Sequence, residues 1–113
     1  GGQDWAALLW ALGTAEIPPA DPAWLLRSCL PPLARSEGQT LQLAVWGLAR
    51  LGLLSQALPV LSPAIYQGIR GLAPQGVANV VWALRAVGGL DAGMVQAAVA
   101  HVERHGEKYR AKE

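Results

Sequence analysis

The sequence predicts an all-α fold, a solenoid of about three antiparallel helical hairpins that repeat every 36 residues. The first observation is the even spacing of three tryptophans: Trp10, Trp46 and Trp82. The second is that glutamine and leucine recur in the same register: Gln3, Gln39 and Gln75, and Leu12, Leu48 and Leu84. A period of about 20 to 50 residues is typical of stacked helical arrays. The third is that no segment alternates apolar and polar residues convincingly, as a β-strand does.

The repeat divides the chain into one array and a short tail. We expect the array to span residues 1–105, with repeats at approximately 3–38, 39–74 and 75–105. Residues 106–113 form a charged tail that contains both lysines of the chain. At 113 residues the chain is at most one ordinary domain, and three repeats are near the minimum for a stable array.

The first helix of each repeat, helix A, is predicted in three places: residues 3–13, 37–51 and 74–87. Ser36 followed three residues later by Gln39 fits a capping box at the start of the second copy. Gly52 and Gly88 suit the C-terminal caps of the second and third copies. Glu16 occupies the corresponding position of the first copy, so we expect that helix to end in a different way.

The second helix of each repeat, helix B, begins after a residue that favours the N-cap position: Asp21, Ser62 and Asp91. We expect Pro31 and Pro32 to end the first copy, because proline removes a helical hydrogen bond and clashes with the preceding turn. Residues 51–63 are apolar but lack period 2 and contain Pro59, which indicates a loop. Pro74 instead suits the first position of a helix A.

Helix A carries apolar residues on two sides. One wide face gathers on the side opposite the tryptophan: Leu41, Ala44, Val45, Leu48 and Leu51 in the second copy, and Val77, Val80, Val81, Leu84 and Val87 in the third. A helix that is apolar on both sides is sandwiched between neighbours. We therefore expect the tryptophans to form core between repeats. The alternative is that they are platforms on which single-stranded bases stack.

A polar stripe beside the tryptophans supplies the candidate RNA-binding residues: Gln39, Gln42, Arg50, Gln75, Asn79 and Arg85. Glutamine and asparagine pair with base edges, and arginine pairs with phosphate or stacks on a base. Stacked helical repeats read one base each in this manner. The same pattern is also typical of the solvated edge of a helix.

Composition excludes several classes of protein. A hydrophobic fraction of 52% and a charged fraction of 15% are not those of a disordered chain. The net charge of +1 provides no strong electrostatic footprint for nucleic acid or for a membrane surface. Polar residues, glycine and proline interrupt each apolar run, so no membrane span is predicted. The single cysteine, Cys29, is expected to be a buried small apolar residue.

No catalytic constellation is present in the sequence. His101 and His105 lie four residues apart and could share a metal, but no third ligand is evident and the zinc-protease order is not met. The glycine pair at 88–89 is better interpreted as a helix end than as a nucleotide loop. We therefore expect no enzymatic activity, no metal, no cofactor and no small-molecule substrate.

The third repeat, "APQGVANVVWALRAVGG", resembles the core phrase of the octotricopeptide repeat family. The family has a Pro-Gln-Gly-Leu-Ala-Asn type entry and a Leu-Trp-Ala-Leu-Ala-Lys-Leu-Gly type exit. The third repeat matches these phrases at the following positions: Pro74, Gln75, Gly76, Ala78, Asn79, Trp82, Ala83, Leu84 and Gly88. The second repeat keeps Gln39, Trp46 and Leu48 but has Leu43 at the asparagine position. The segment "PPADPAWLL" is similar to the family's Pro-Pro-Pro-Glu-Trp-Leu phrase. A tetratricopeptide repeat fits less well, because its signature phrase and its 34-residue period are absent.

The resemblance implies paired antiparallel helices stacked into a superhelix that binds RNA in mitochondria or chloroplasts. Such proteins act in RNA stability, processing or translation, or are built into organellar ribosomes, so single-stranded or ribosomal RNA is the expected partner. No presequence is visible in this chain, which fits a mature chain or a fragment. The alternative function is a structural solenoid that contacts other proteins of a large organellar complex.

Overall fold

The computed structural model describes residues 1–89 and 91–104, of which 102 and 104 are described by their backbone alone. These residues form six α-helices and a 3₁₀ turn at Ile69–Gly71. The helices are α1 (Gly2–Ala15), α2 (Pro22–Ala34), α3 (Gly38–Arg50), α4 (Leu54–Gly68), α5 (Pro74–Ala86) and α6 (Ala92–Arg104). The described residues contain no strand, and the all-α prediction is confirmed. His105 and the tail predicted at 106–113 lie outside the described residues.

The helices form two layers. The odd-numbered helices lie side by side, since α3 contacts α1 on one flank and α5 on the other. In the second layer α2 packs against α4, while α6 packs against α5 and the 3₁₀ turn. Each odd helix also contacts the even helix that follows it. The described part of the chain is elongated, with principal extents of 44 × 25 × 25 Å.

The contact between α1 and α3 is unusually close because glycine lies on both sides of it. A Cβ atom added to Gly47 would overlap the carbonyl group of Leu9 and lie 2.7 Å from the amide nitrogen of Trp10. A Cβ atom added to Gly13 would lie 2.9 Å from the carbonyl oxygen of Gly47. The backbones of the two helices therefore touch directly, without side chains between them.

The three odd helices end in the same conformation. Gly52 and Gly88 have φ values of 75° and 72°, as predicted for C-terminal caps. Glu16 has φ of 58°, so the expectation of a different exit from α1 is wrong. The residue after each of these three donates its backbone N–H to the carbonyl of a leucine five residues earlier. The N···O distances are 2.9 Å for Ile17, 2.9 Å for Leu53 and 2.8 Å for Gly89. Glu16 accepts a left-handed conformation that costs a side-chain-bearing residue about 1 to 2 kcal/mol.

The helix starts agree in part with the predicted caps. Asp21 accepts a hydrogen bond from the Trp24 amide at 3.1 Å, and Asp91 accepts one from Met94 at 2.8 Å. Pro74 begins α5 as predicted. The capping box predicted at Ser36 is wrong, because the Ser36 hydroxyl donates to the carbonyl of Pro32 at 2.8 Å and turns back towards α2.

The prolines do not end the even helices where the sequence suggested. α2 continues through Pro31 and Pro32 to Ala34. α4 spans most of the predicted loop at 51–63 and contains Pro59 within it. Its buried residues recur at helical spacing: Leu54, Ala57, Leu61 and Ile65. Burial of that face favours the helix over the local preference of proline.

Ser62 lies inside α4 and does not cap it. Its hydroxyl donates to the carbonyl of Leu58 at 2.6 Å, which is the back-bonding common for serine within a helix. Pro59 and Pro63 lie on the exposed side of α4, so their rings do not enter the core. The N-cap predicted at Ser62 is therefore wrong, and the helix begins at Leu54 instead.

The core is formed by the apolar face predicted for helix A together with the inner faces of α2 and α4. In α3 the buried members are Leu41, Ala44, Val45 and Leu48, and in α5 they are Val77, Val80 and Leu84. Cys29 is fully buried, as predicted, and burial raises the pKa of its thiol. His101 is also buried, and its Nε2 donates to the carbonyl of Leu72 at 3.0 Å, which ties α6 to the turn before α5.

Candidate binding face

Three tryptophans form a row along the odd helices, and we call Trp10, Trp46 and Trp82 the tryptophan row. Trp10 is 44% exposed and Trp82 is 57% exposed, while Trp46 is half-buried. The expectation that these side chains form core between repeats is therefore wrong for Trp10 and Trp82. For Trp10 the physical reason lies beside it in the chain, because α1 and α3 meet backbone to backbone at Leu9 and Gly47 and leave no space for an indole between them.

Trp46, in the middle of the row, contacts an aromatic ring and a cation. The rings of Trp46 and Trp82 are 5.6 Å apart between centroids and tilted by 37°. The guanidinium carbon of Arg50 lies 5.8 Å from the ring centroid of Trp46, within the range of a cation–π contact. An Arg50 nitrogen also lies 3.5 Å from a carboxylate oxygen of Glu16, so its charge is shared with an acidic neighbour.

A small cleft opens beside the row, and we call it the tryptophan cleft. It encloses about 160 Å³ and is lined by residues of all three odd helices: Trp10, Gln42, Leu43, Trp46 and Asn79. Two lining residues are indoles, two are amides and one is aliphatic. A flat ring in this cleft would meet apolar faces and, beside them, groups that donate and accept hydrogen bonds.

Neighbouring residues hold the two amides of the cleft. The Gln75 side-chain nitrogen donates to Oδ1 of Asn79 at 3.1 Å, one helical turn away on α5. The Oε1 atom of Gln42 lies 2.8 Å from the position that a Cβ atom of Gly76 would occupy. Because residue 76 is glycine, the Gln42 side chain can lie across α5 in this position.

The structure brings together only part of the predicted polar stripe. Gln42 and Asn79 line the tryptophan cleft, Arg50 lies over the row, and Gln75 acts through Asn79. Gln39 instead lines a separate polar groove at the start of α3, together with Ser36 and Gln67 among others. Arg85 is exposed in the last turn of α5, outside the cleft lining.

Sequence reasoning favoured a core position for the tryptophans and kept a role as stacking platforms in this face as the alternative. The sequence signal for this exposed position was the helical register, which sets each tryptophan beside the polar stripe. Leu43 was missed. It occupies the position of Asn79 one repeat earlier and is 36% exposed in the cleft.

In the part of the chain that the structure describes, no group of three histidine, cysteine or acidic side chains is placed to hold a metal ion. The Cys29 thiol is fully buried, and its raised pKa disfavours the reactive thiolate. The metal pair considered at His101 and His105 includes a residue outside the described ones.

Across residues 1–89 and 91–104, every helix is too short or too polar to cross a membrane. Comparison with protein-family models, with curated proteins and with solved structures finds no match to this chain. The functional proposal therefore depends on the geometry of this face and on the sequence resemblance.

Proposed function

We propose that this chain is a helical-repeat solenoid of the octotricopeptide type that binds single-stranded or ribosomal RNA across the tryptophan row. The solenoid part is supported by the layered packing, in which α3 contacts both α1 and α5. It is supported further by the three equivalent helix ends at Glu16, Gly52 and Gly88, which lie 36 residues apart and close the same hydrogen bond. Repeat units that stack on their neighbours produce this arrangement.

The observation that carries the RNA proposal is the exposure of indole rings beside amide groups. Trp10 and Trp82 keep about half of their surface in solvent, and that exposed half contributes no burial to folding. Single-stranded bases stack on such rings, and amide side chains read their edges. Gln42 and Asn79 supply those amides in the tryptophan cleft, next to Trp10 and Trp46.

The proposed action is to hold RNA without cutting it, so that no catalytic residue, cofactor or small-molecule substrate is involved. The resemblance indicates a mitochondrial or chloroplast RNA, and a role in RNA stability, processing or translation, or within an organellar ribosome. The remaining predicted contacts, Gln39 and Arg85, would meet the strand beyond the cleft.

A matched pair of tryptophan substitutions tests the proposal. Trp82→Ala removes a ring of the row, whereas Trp24→Ala removes a ring of α2 that is 53% exposed and lies 6.2 Å from the Trp5 ring. Because stacking contributes about 1 to 3 kcal/mol per base, Trp82→Ala should weaken binding by roughly 5- to 150-fold. Fluorescence anisotropy of labelled single-stranded RNA of mixed sequence measures this. Equal affinities for the two variants would refute RNA binding at the row.

A second candidate function is a scaffold that contacts other proteins of a large organellar complex. The observation that favours it is an apolar groove between α5 and α6, lined mainly by aliphatic residues: Pro74, Val77, Ala78, Val81, Ala98 and Val99. Val99 is 50% exposed there. Exposed apolar patches of this kind mark interaction surfaces.

Ultraviolet crosslinking of the protein in an organelle extract distinguishes the two candidates. RNA crosslinks on peptides that contain residues 39–50 or 75–85 would support the RNA proposal, and the attached sequence would separate messenger from ribosomal targets. Recovery in a large complex without such crosslinks would favour the scaffold.

A further inference from the structure

We propose that the tryptophan cleft holds one unpaired base of the bound strand and prefers adenine. This inference rests on the proposed RNA binding and assigns one position of the strand to the cleft residues Trp10, Gln42, Trp46 and Asn79. Trp82, the remaining ring of the row, is a sequence-tolerant platform.

The packing of the row restricts insertion to one place. Trp46 and Trp82 are already in ring contact, with centroids 5.6 Å apart, so their outer faces accept a base by stacking only. The tryptophan cleft differs, because Trp10 and Trp46 both contribute to its lining. A base that enters there meets two indoles at once.

The volume of the cleft matches one heterocycle. Its volume of about 160 Å³ lies below the roughly 300 Å³ at which clefts for whole small-molecule ligands begin. The sugar and phosphate of the same nucleotide would then remain outside, where the strand continues along the row.

At the N7 edge of a purine, the chemistry of the cleft favours adenine over guanine. Adenine presents a donor at N6 next to an acceptor at N7, and a carboxamide, which has both an acceptor and a donor, pairs with these two atoms. Guanine presents two acceptors at the same edge and is matched by arginine or lysine. Of the described residues that line the cleft, none is arginine or lysine, and two are carboxamides, Gln42 and Asn79.

The two carboxamides have different roles. Oδ1 of Asn79 already accepts a hydrogen bond from Gln75, so Asn79 offers its amide nitrogen as a donor. The Gln42 carboxamide retains both its acceptor oxygen and its donor nitrogen, and we assign the bidentate contact to this residue. Gly76 is a positioning residue, since its missing Cβ provides the space in which the end of the Gln42 side chain lies.

The test uses labelled oligouridine and the same strand with one central adenosine or one central guanosine. For the unmodified chain we expect the adenosine strand to bind about 5- to 100-fold more tightly than the other two. Gln42→Met should reduce the adenosine affinity to that of oligouridine, because methionine has no donor or acceptor that pairs with N6 and N7. Gly76→Ala should act in the same direction by displacing the Gln42 side chain.

A cleft-filling variant provides an independent measurement. Leu43→Trp places a large ring in the cleft and should remove the adenosine preference while the row still binds oligouridine. Circular dichroism and thermal melting establish that each variant is folded. If Leu43→Trp does not fold, the comparison of Gln42→Met with the unmodified chain tests the adenosine preference.

The outcomes separate this inference from the proposal on which it rests. Equal affinities for the three strands, together with weaker binding in Trp82→Ala, would overturn the adenine preference of the cleft. The same result would leave the proposed RNA binding by the row intact. Adenosine preference that survives in Gln42→Met would also overturn the assignment. No measurable affinity for any strand would refute the proposed function itself.

Discussion

Gly47→Ala tests the close contact between α1 and α3 on which the candidate face depends. An alanine Cβ would overlap the Leu9 carbonyl and lie 2.7 Å from the Trp10 nitrogen. Ordinary van der Waals contact begins at 3.4 Å, so the Trp10 backbone must retreat by about 0.7 Å. A rigid helical backbone cannot give way locally as a flexible side chain can, and the two helices must therefore separate.

The expected loss of stability follows from two opposing effects. Alanine is favoured over glycine within a helix by about 1 kcal/mol, which stabilises the variant. A radial gap of about 0.5 to 1 Å forfeits a quarter to a half of the dispersion energy of the atoms it separates, and overpacking of a core typically costs about 1 to 3 kcal/mol. Fully buried side chains such as Leu9 and Leu48 belong to this contact region. We expect a net loss of about 2 kcal/mol.

Thermal unfolding followed by circular dichroism measures this loss, and a decrease of roughly 8 °C in Tm corresponds to it. The matched control is Gly76→Ala, which is also a glycine inside an odd helix. Its Cβ would meet the flexible end of Gln42 at 2.8 Å, so we expect unchanged or slightly higher stability. A Gly47→Ala variant that melts like Gly76→Ala would show that α1 and α3 do not pack at this distance.

Three further predictions concern single residues outside the tryptophan cleft. Glu16→Gly should raise the free energy of unfolding by up to about 1 kcal/mol in urea titrations, because it relieves the left-handed conformation at φ 58° and loses only an exposed ion pair. Asp21→Ala should lower the free energy of unfolding by about 1 kcal/mol in the same assay, because the substitution removes the cap of α2. Asp21→Asn should retain most of that stability, because asparagine also caps helices. Cys29 should react slowly with a disulfide reagent at pH 8 in the folded protein and rapidly in urea, because burial raises the pKa of its thiol. Equal rates in both states would contradict the burial of Cys29.

The odd helices and their inner faces could be predicted because local rules set them. The spacing of apolar residues determines which side of α3 and α5 is buried, and that spacing is visible in the sequence. The caps at Asp21 and Asp91 depend on residues only three positions apart, so they too were predictable. The glycine ends of α3 and α5 require a left-handed conformation that glycine adopts at little cost.

The predictions from sequence that proved wrong concern features that depend on packing between residues far apart in the chain. The loop expected at 51–63 is a helix because its buried face provides enough stability to accommodate Pro59. A helical wheel sets each tryptophan beside the polar stripe but does not give the exposed fraction of its ring, which for Trp10 depends on how closely α1 and α3 approach. The meeting of Gln42 with Asn79 likewise depends on the distance between α3 and α5.

The small charge of the chain determines what kind of RNA binding this face can support. Affinity for single strands comes from neutralisation of phosphates and from stacking of bases. The net charge is +1, and Arg50, whose guanidinium lies over the Trp46 ring, is also paired with Glu16. In the proposed function, phosphate contacts would therefore contribute little, and the exposed indoles would provide most of the affinity. Discrimination between bases would fall to neutral amides such as Gln42, whose hydrogen bonds do not depend on net charge.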